Sequence, residues 1–272
     1  MRATWLHLRF PFVYVLAPIF VWGAWRAAGP WGSRTTLGFL LVHLALYPGA
    51  NAFNSAYDRD TGPIGGLARP PAVPRGLAGC STALQATGFV LAPLIGWPFA
   101  LAYGALWGIF TAYSHPRTRW KRWPSASTAA IVVGQGGLGF ALGWLAAGGG
   151  PVDAAAGWSV LVAAAGVAAL YPLTQLYQVD ADAGRADWTL AARLGVGGTL
   201  RWVAAGFAVV AGSAWALGLT GLALYALLAA LGALGMSLMR RPGWVPTHRW
   251  VMRVAYVNST IFILYLTMAM IR

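Results

Sequence analysis

Residues 47–58 read YPGANAFNSAYD, and their outline recurs at residues 171–182, which read YPLTQLYQVDAD, at a constant offset of 124 residues. In each copy a Tyr-Pro pair, two side-chain amides and an Asp follow one another at spacings of four, three and four residues. Such spacings place side chains on one face of an α-helix. Each copy ends an apolar run long enough to cross a membrane. The pattern predicts two facing membrane helices, each with a polar stripe that ends in a carboxylate, which together hold a divalent cation.

The composition of the chain is that of an integral membrane protein. Of its 272 residues, 58% are hydrophobic and only 9% are charged, and the mean hydropathy is +0.62. A membrane-spanning helix needs about 20 mostly apolar residues. About nine runs meet this need, near residues 9–28, 34–57, 79–97, 98–115, 126–147, 156–179, 199–217, 219–238 and 252–271. We therefore expect an all-α polytopic fold, with residues 1–272 forming a single membrane domain.

The offset of 124 residues also indicates an internal repeat. It relates the second predicted helix to the sixth, and it relates Arg117-x-x-Trp120 to Arg241-x-x-Trp244. An offset of four helices preserves orientation across the membrane, so the repeats would be parallel. The expected architecture is two parallel four-helix repeats followed by one more helix.

The net charge is +13, and the basic residues are concentrated in alternate loops between the predicted helices. With the N-terminus inside, 16 of the 19 Lys and Arg residues fall on inside segments, and only Arg26, Arg34 and Arg272 fall outside. This is the positive-inside pattern. It predicts a cytoplasmic N-terminus, cytoplasmic loops after the even-numbered helices and a C-terminus on the opposite side. Because the charges alternate by loop and form no continuous groove, we expect contact with bilayer lipids and none with nucleic acid.

The acidic residues are few and clustered. The chain has no Glu, and five of its six Asp residues follow the second and sixth predicted helices. Mg²⁺ prefers oxygen ligands and typically takes one or two carboxylates from protein, with water and substrate phosphates completing its shell. Asp58 with Asp60, and Asp180 with Asp182, would suit two Mg²⁺ ions. The single Cys80 excludes an internal disulfide and a cysteine-based zinc site.

Amides and cations surround these carboxylates and suit a diphosphate. We predict catalytic roles for Asp58, Asp182, Asn54 and Gln178, and contacts to substrate diphosphate for Asn51, Gln175, Arg69, Arg119, Lys121, Arg122 and Arg185. His43, Tyr47 and Tyr171 are expected to line a cavity for the lipid tail. Pro48 and Pro172 should kink the two helices. The alternative is that the polar stripes form a structural network between two helices.

These residues resemble the UbiA superfamily of intramembrane prenyltransferases over nearly the whole chain. The resemblance lies in four segments: residues 54–60 with the trailing Arg69-Pro70, the Tyr113-Ser114-His115-Pro116 loop with Arg119 and Lys121, residues 178–182, and residues 189–195. They are similar to the family's two aspartate-rich motifs, its Tyr-Ser-x-Pro loop and its Thr-Leu-x-x-x-Leu-Gly tail. The chain departs from the pattern at Ser55, Gly62 and Gln178, where the family usually has Asp, and at Trp188, where it often has a basic residue.

The resemblance implies a reaction. Mg²⁺ and basic residues would bind an isoprenyl diphosphate, ionisation would give an allylic carbocation, and a small aromatic or lipid-like acceptor would capture it. Two alternatives stay open at this stage. A terpene cyclase would close the cation on its own double bonds, and a non-catalytic transporter or lipid-binding protein would release no diphosphate. The sequence does not give the acceptor or the length of the prenyl chain.

Overall fold

The computed structural model describes residues 1–184 and 187–271, and throughout this part of the chain the regular elements are helical. In chain order the long helices are α1 (Arg2–Arg26), α2 (Ser33–Asp58), α3 (Leu77–Leu94), α4 (Trp97–Ser114), α5 (Pro124–Ala146), α6 (Ala154–Gly184), α7 (Leu190–Ala216), α8 (Thr220–Met239) and α9 (His248–Ile271). All of these except α4 are both long and apolar enough to cross a membrane. Their positions agree with the runs read from the sequence, so the all-α polytopic fold class is confirmed.

Helix α4 differs from the others in composition. It has 18 residues and coincides with the predicted run at 98–115, but it contains two Trp and two Tyr residues. These amphipathic rings lower its mean hydropathy without preventing burial. Tyr103 is fully buried, and its hydroxyl donates a hydrogen bond to the backbone carbonyl of Gln85 at 3.2 Å. A polar handle satisfied in this way can be accommodated in an apolar core.

Several of the long helices contain local irregularities. Helix α1 consists of Arg2–His7, Phe10–Val13, a 3₁₀ turn at Tyr14–Leu16 and Ala17–Arg26. Helix α2 contains a π-helical turn at Leu41–Leu46 between Ser33–Leu40 and Tyr47–Asp58, and α5 contains one at Val132–Leu138. A 3₁₀ turn at Ala92–Leu94 ends α3, and another at Trp120–Arg122 precedes α5. The π turn of α2 ends just before Pro48, whose ring interrupts the regular hydrogen-bond ladder.

The described chain divides into two compact units. The first comprises residues 1–120, 138–150 and 256–272, and the second comprises 121–137 and 151–255, as far as the chain is described. In the first unit Phe20, Leu46, Tyr103 and Leu142 belong to one apolar cluster, and each is at most 2% exposed. Close packing is possible because α1 and α5 carry glycines at their contact. A Cβ atom at Gly143 would fall on the backbone carbonyl oxygen of Phe20.

The second unit is built around α7. This helix packs against α8 and against Ala154–Leu170 of α6. Gly195 interrupts α7 with φ 62° and ψ 179°, a backbone conformation that favours glycine. Trp202 reaches from α7 to α6, where its indole N–H donates to the carbonyl of Ala168 at 2.8 Å. The carboxyl-terminal part of α6, which carries the second Asp motif, also packs against α7 through Pro172–Gln178.

The two copies of the repeated segment differ in local geometry. Tyr47–Asp58 is a continuous α-helix, as the spacing predicts. In the second copy Pro172–Gln178 is a 3₁₀ helix, and α-helical geometry resumes only at Val179–Gly184. Because a 3₁₀ helix has three residues per turn, Gln175 and Gln178 are eclipsed, and the second stripe departs from the single α-helical face expected from the sequence. The single domain with parallel repeats stays a prediction.

Candidate functional site

The first Asp motif is a hydrogen-bonded network at the end of α2. The side-chain amide of Asn54 donates to Asp58 Oδ2 at 2.9 Å and to Ser114 Oγ at 3.2 Å. Arg119 Nη1 lies 3.8 Å from Asp58 Oδ1. The Asp58 side chain is only 7% exposed. One carboxylate oxygen of Asp58 therefore accepts a hydrogen bond from the Asn54 amide, and the other lies near the Arg119 guanidinium.

The backbone around this motif is bent to bring these groups together. Helix α2 ends at Asp58 because Arg59 takes a left-handed conformation, with φ 50° and ψ 41°. Helix α4 ends at Ser114, and the following turn leads to Arg119, whose φ is 39°. Left-handed conformations are unfavourable for residues other than glycine, and such strain tends to occur at functional sites. Asn54, Asp58 and Arg119, which were predicted as site residues from sequence, lie together in this unit.

The remaining predicted residues of this motif have more peripheral places. Asn51 points its amide to the backbone carbonyl of Leu8 at 3.5 Å, a long hydrogen bond. Asp60 is half-buried in the loop after α2, and Arg69 is exposed farther along that loop. The structure adds a residue that sequence reasoning missed: Arg9 Nη2 donates to the backbone carbonyl of Asn51 at 2.6 Å and to Asn54 Oδ1 at 3.3 Å.

Two of the predicted cavity residues lie deeper in α2. His43 is in the π turn, and its ring stacks on Phe39, with centroids 4.0 Å apart and an interplanar angle of 17°. Its Nδ1 atom is 2.9 Å from the carbonyl oxygen of Phe39. Tyr47 is buried, with its ring edge-on to His43 and 5.9 Å from that of Phe110. The two side chains belong to an aromatic cluster, and their assignment to a substrate cavity stays a prediction.

The second Asp motif lies at the end of α6, in the second unit. Asp182 is buried with 8% exposure, whereas Asp180 is exposed and Gln178 is half-buried. The backbone N–H of Asp187 donates to the carbonyl of Asp182 at 2.9 Å. Gln175 Oε1 accepts a hydrogen bond from the backbone N–H of Ala191 at 3.2 Å. Gln175 was predicted to contact diphosphate. Its side-chain carbonyl accepts this hydrogen bond at the start of α7.

A basic segment is joined to the second motif. The backbone N–H of Trp188 donates to the carbonyl of Arg122 at 3.1 Å. The neighbouring Lys121 is buried, with 7% exposure, while Arg122 is exposed and lies over the Trp123 ring at 5.4 Å. The backbone contact holds this segment beside the chain that follows Asp182. Arg185, also predicted to contact diphosphate, lies outside the residues that the structure describes.

The third predicted cavity residue, Tyr171, lies just before the 3₁₀ segment of α6. Its hydroxyl forms a short hydrogen bond with the hydroxyl of Ser127 on α5. Ser127 is buried, and Tyr171 is half-buried. The phenol therefore has a polar partner in the same unit, which anchors the ring. Whether it also borders a substrate cavity stays a prediction.

The carboxylates suit a hard divalent cation. Among the described residues, no three His, Cys, Asp or Glu side chains come together as a metal cluster. Mg²⁺ does not need one, since it commonly uses one or two carboxylates and completes its shell with water and substrate phosphates. The Asp58 side chain is 7% exposed and Asp182 is buried, each toward the end of a helix, with Asp60 and Asp180 two residues away. The donor set fits Mg²⁺ better than a transition metal that prefers nitrogen or sulfur.

Comparisons with solved structures show the same fold. A UbiA homologue from Archaeoglobus fulgidus bound to GPP and Mg²⁺ matches with a TM-score of 0.74 and 19% identity, covering 97% of this chain and 98% of the other. An apo UbiA homologue from Aeropyrum pernix K1 matches with a TM-score of 0.66 and 20% identity, covering 95% and 98%. A digeranylgeranylglyceryl phosphate synthase matches with a TM-score of 0.65 and 14% identity, covering 98% and 96%.

Two comparisons were made at the level of sequence. A search of curated proteins found no match to the chain. A comparison with family models identifies the family. The model of the UbiA prenyltransferase family matches residues 15–264, which include both Asp motifs and the loop between α4 and α5. This match covers nearly the whole sequence and agrees with the resemblance seen in the motifs. The chain therefore belongs to the UbiA prenyltransferase family.

Proposed function

We propose that this protein is an Mg²⁺-dependent intramembrane prenyltransferase that ionises an isoprenyl diphosphate and transfers the prenyl group to a small aromatic or lipid-like acceptor. The observation that carries the proposal is the Asn54–Asp58–Arg119 network. It presents an oriented carboxylate beside a guanidinium at the end of a membrane helix. A carboxylate for a metal and a cation for phosphate oxygens are what a diphosphate leaving group requires.

The roles of the residues follow from their chemistry. Asp58 and Asp60 would hold one ion, and Asp180 and Asp182 another. Mg²⁺, when bound, would neutralise charge on the departing diphosphate. Asn54 keeps Asp58 oriented, and Gln178 is assigned the corresponding role toward Asp182. Arg119, Lys121 and Arg122 would bind phosphate oxygens, with Arg69, Asn51, Gln175 and Arg185 as further contacts.

The path of the prenyl tail is part of the proposal. Once the bond between the allylic carbon and the diphosphate oxygen breaks, the positive charge on carbon needs an environment without water. The aromatic cluster of His43, Phe39 and Tyr47 supports such an environment in the first unit. The faces of aromatic rings attract cations. Tyr171 would contribute its ring in the second unit.

The relatives support the substrate class. The Archaeoglobus fulgidus homologue was solved with GPP and Mg²⁺, and another match is named for digeranylgeranylglyceryl phosphate, a prenylated glyceryl phosphate. The first supports an isoprenyl diphosphate as donor. The digeranylgeranylglyceryl phosphate synthase supports a lipid-like acceptor as an alternative to an aromatic one.

The orientation in the membrane completes the proposal. Within the described part of the chain, eight helices are long and apolar enough to cross the bilayer, which makes this an integral membrane protein. The 16 Lys and Arg residues on predicted inside segments, against three outside, favour a cytoplasmic N-terminus. Both Asp motifs would then face the cytoplasm, and the C-terminus would lie on the opposite side.

The test is release of diphosphate by purified protein in detergent. Prenyl diphosphates of several lengths are supplied with Mg²⁺ or with EDTA, with and without a panel of aromatic and lipid acceptors, and the organic products are identified by mass spectrometry. We expect Mg²⁺-dependent release and a product that contains both prenyl group and acceptor. A cyclic hydrocarbon or alcohol formed from the diphosphate alone would replace the proposal with a terpene cyclase. Absence of release under all combinations would favour transport or lipid binding.

A further inference from the structure

Arg9 lies outside the predicted site and contacts both amide residues of the first Asp motif. It lies in the break between the first two segments of α1 and is 6% exposed. Its Nη2 atom donates to the backbone carbonyl of Asn51 at 2.6 Å and to Asn54 Oδ1 at 3.3 Å. A buried arginine at the inner end of a membrane helix is costly unless its donors are used. Here the donors of Nη2 are directed at Asn51 and Asn54, the two amide residues of the motif.

The hydrogen bonds have a fixed direction. A guanidinium can only donate, and an ionised carboxylate can only accept. Asn54 lies between the two, with Oδ1 facing Arg9 and Nδ2 facing Asp58 Oδ2 at 2.9 Å. Turning the Asn54 amide over would set its NH₂ group against Arg9 and its carbonyl oxygen against Asp58, so both contacts would become repulsive. Arg9 and Asp58 therefore select one orientation of the amide between them.

The backbone of Arg9 supports a specific role. Its φ of 53° and ψ of 42° are left-handed, a conformation that residues other than glycine adopt only at an energetic cost. Arg9, Arg59 and Arg119 are three of the four non-glycine residues with positive φ in the described chain, and each of the three contacts the first motif or adjoins it. The turn at Arg9 is what directs its side chain from α1 to α2.

We propose that Arg9 is a positioning residue for the reaction, one that acts through Asn54 to hold the Asp58 carboxylate in the orientation that binds Mg²⁺. This inference rests on the proposed function, because it assigns Asp58 to the metal. Arg9 itself touches neither metal nor substrate in this assignment. Its effect is transmitted along the chain of hydrogen bonds from guanidinium to amide to carboxylate.

The experiment compares Arg9→Gly, Arg9→Lys and the control Arg2→Ala, which alters an exposed arginine of the same helix. Glycine accepts the left-handed backbone, so Arg9→Gly removes the guanidinium without adding strain. The readout is the Mg²⁺ concentration that gives half-maximal thermal stabilisation in a fixed excess of geranyl S-thiolodiphosphate, which ionises poorly. We expect Arg9→Gly to raise this concentration about tenfold or more, as for loss of a hydrogen bond that involves a charge. Arg9→Lys should restore part of the loss, and Arg2→Ala should match the parent protein.

A double mutant separates positioning from other roles. If Arg9 acts through Asn54, adding Arg9→Gly to Asn54→Ala leaves the half-maximal Mg²⁺ concentration of Asn54→Ala unchanged. An additional loss in the double mutant would mean that Arg9 contacts the ligand itself and would overturn the proposal. A lower unfolding temperature in Arg9→Gly with an unchanged Mg²⁺ concentration would also overturn it, leaving only a structural role. If the parent protein shows neither Mg²⁺-dependent stabilisation nor diphosphate release, the proposed function fails, and this inference fails with it.

Discussion

The side-chain carbonyl of Gln175 accepts a hydrogen bond from the backbone N–H of Ala191, 3.2 Å away, in the first turn of α7. Thr189 Oγ1 accepts from the next N–H, that of Ala192, at 3.3 Å. These two acceptors satisfy donors that the helix itself leaves without a partner. Gln175 therefore connects the second Asp motif to the start of the helix that follows it.

Gln175 can be tested as a helix cap and as a diphosphate contact with two substitutions. Gln175→Leu removes the acceptor and should lower the free energy of unfolding in detergent by about 1–3 kcal/mol, the cost of leaving a buried N–H unsatisfied. Gln175→Glu keeps an acceptor and should retain most of the stability. If Gln175 also donates to the substrate, the Glu variant should raise the KM for prenyl diphosphate. Equal stability of the two variants would contradict the capping role.

The buried carboxylates should be indispensable for turnover. Asp58→Asn and Asp182→Asn keep the side-chain size but remove the charge, so each should lower Mg²⁺-dependent diphosphate release by at least about a hundredfold. The matched control is Asp153→Asn. Asp153 caps α6 by accepting from the N–H of Ala156 at 2.7 Å, and Asn is an equally good cap. Full activity in either motif variant would refute the assignment of that carboxylate.

Lys121 should contribute to binding of the diphosphate. Its side chain is buried at the segment held beside the second motif, so loss of the ammonium should raise the KM for prenyl diphosphate about tenfold with a smaller change in kcat. Lys121→Arg should recover part of the affinity because the charge is kept. Arg201→Ala, at an exposed position on α7, serves as control. If the KM of Lys121→Ala equals that of the control, Lys121 does not bind the diphosphate and serves only to set the topology.

Close packing between α1 and α5 should limit what Gly143 can be replaced by. A Cβ atom there would meet the backbone carbonyl of Phe20, and backbone cannot move as easily as a flexible side chain. Gly143→Ala should lower the free energy of unfolding by about 1–3 kcal/mol, as overpacking does. Gly157→Ala on α6 is the control, because no atom lies within 4 Å of the added Cβ. A Gly143→Ala variant as stable as this control would show that the helices can separate without cost.

The orientation can be measured through the chain's own cysteine. Cys80 is exposed in the first turn of Leu77–Leu91, on the side predicted to be cytoplasmic. A membrane-impermeant maleimide should label it in inverted vesicles and leave it unlabelled in intact cells. Val152→Cys, placed in a Cys80→Ser background at an exposed site on the opposite side, should give the reverse pattern. Labelling of Cys80 from outside intact cells would contradict the proposed topology and would indicate the opposite orientation in the membrane.

Reasoning from sequence was most successful where the signal was local. Asn54 and Asp58 are four residues apart on an α-helix, so their hydrogen bond follows from helical periodicity once the helix is assigned. Arg119 was selected because it is a cation in a motif-like loop, and it does lie 3.8 Å from Asp58. The second motif was less predictable, because the 3₁₀ geometry of Pro172–Gln178 changes which side chains align. The spacing of residues alone cannot distinguish a 3₁₀ turn from an α-helical one.

Arg9 was counted as one of the inside charges that set topology and was not considered for the site. A signal was present, since a charge at the inner end of the first apolar run is followed by Pro11, which predicts a break in the helix. The partner could not be read from this signal, because Arg9 and Asn54 are 45 residues apart. Similarly, nothing in the neighbourhood of Gln175 indicates that it caps a helix 16 residues later.

The sequence by itself determined the solvent in which this protein folds, the number and approximate positions of its long helices and the residue types able to bind a metal diphosphate. These properties depend on composition and on spacings within one helix, where 3.6 residues per turn relates position to face. Only the tertiary structure decided that Arg9 donates a hydrogen bond to Asn54, that the Asn54 amide also contacts Ser114 and that Gln175 caps α7. Those contacts join segments distant in the chain, and their geometry depends on how helices bend and pack, which local periodicity does not encode.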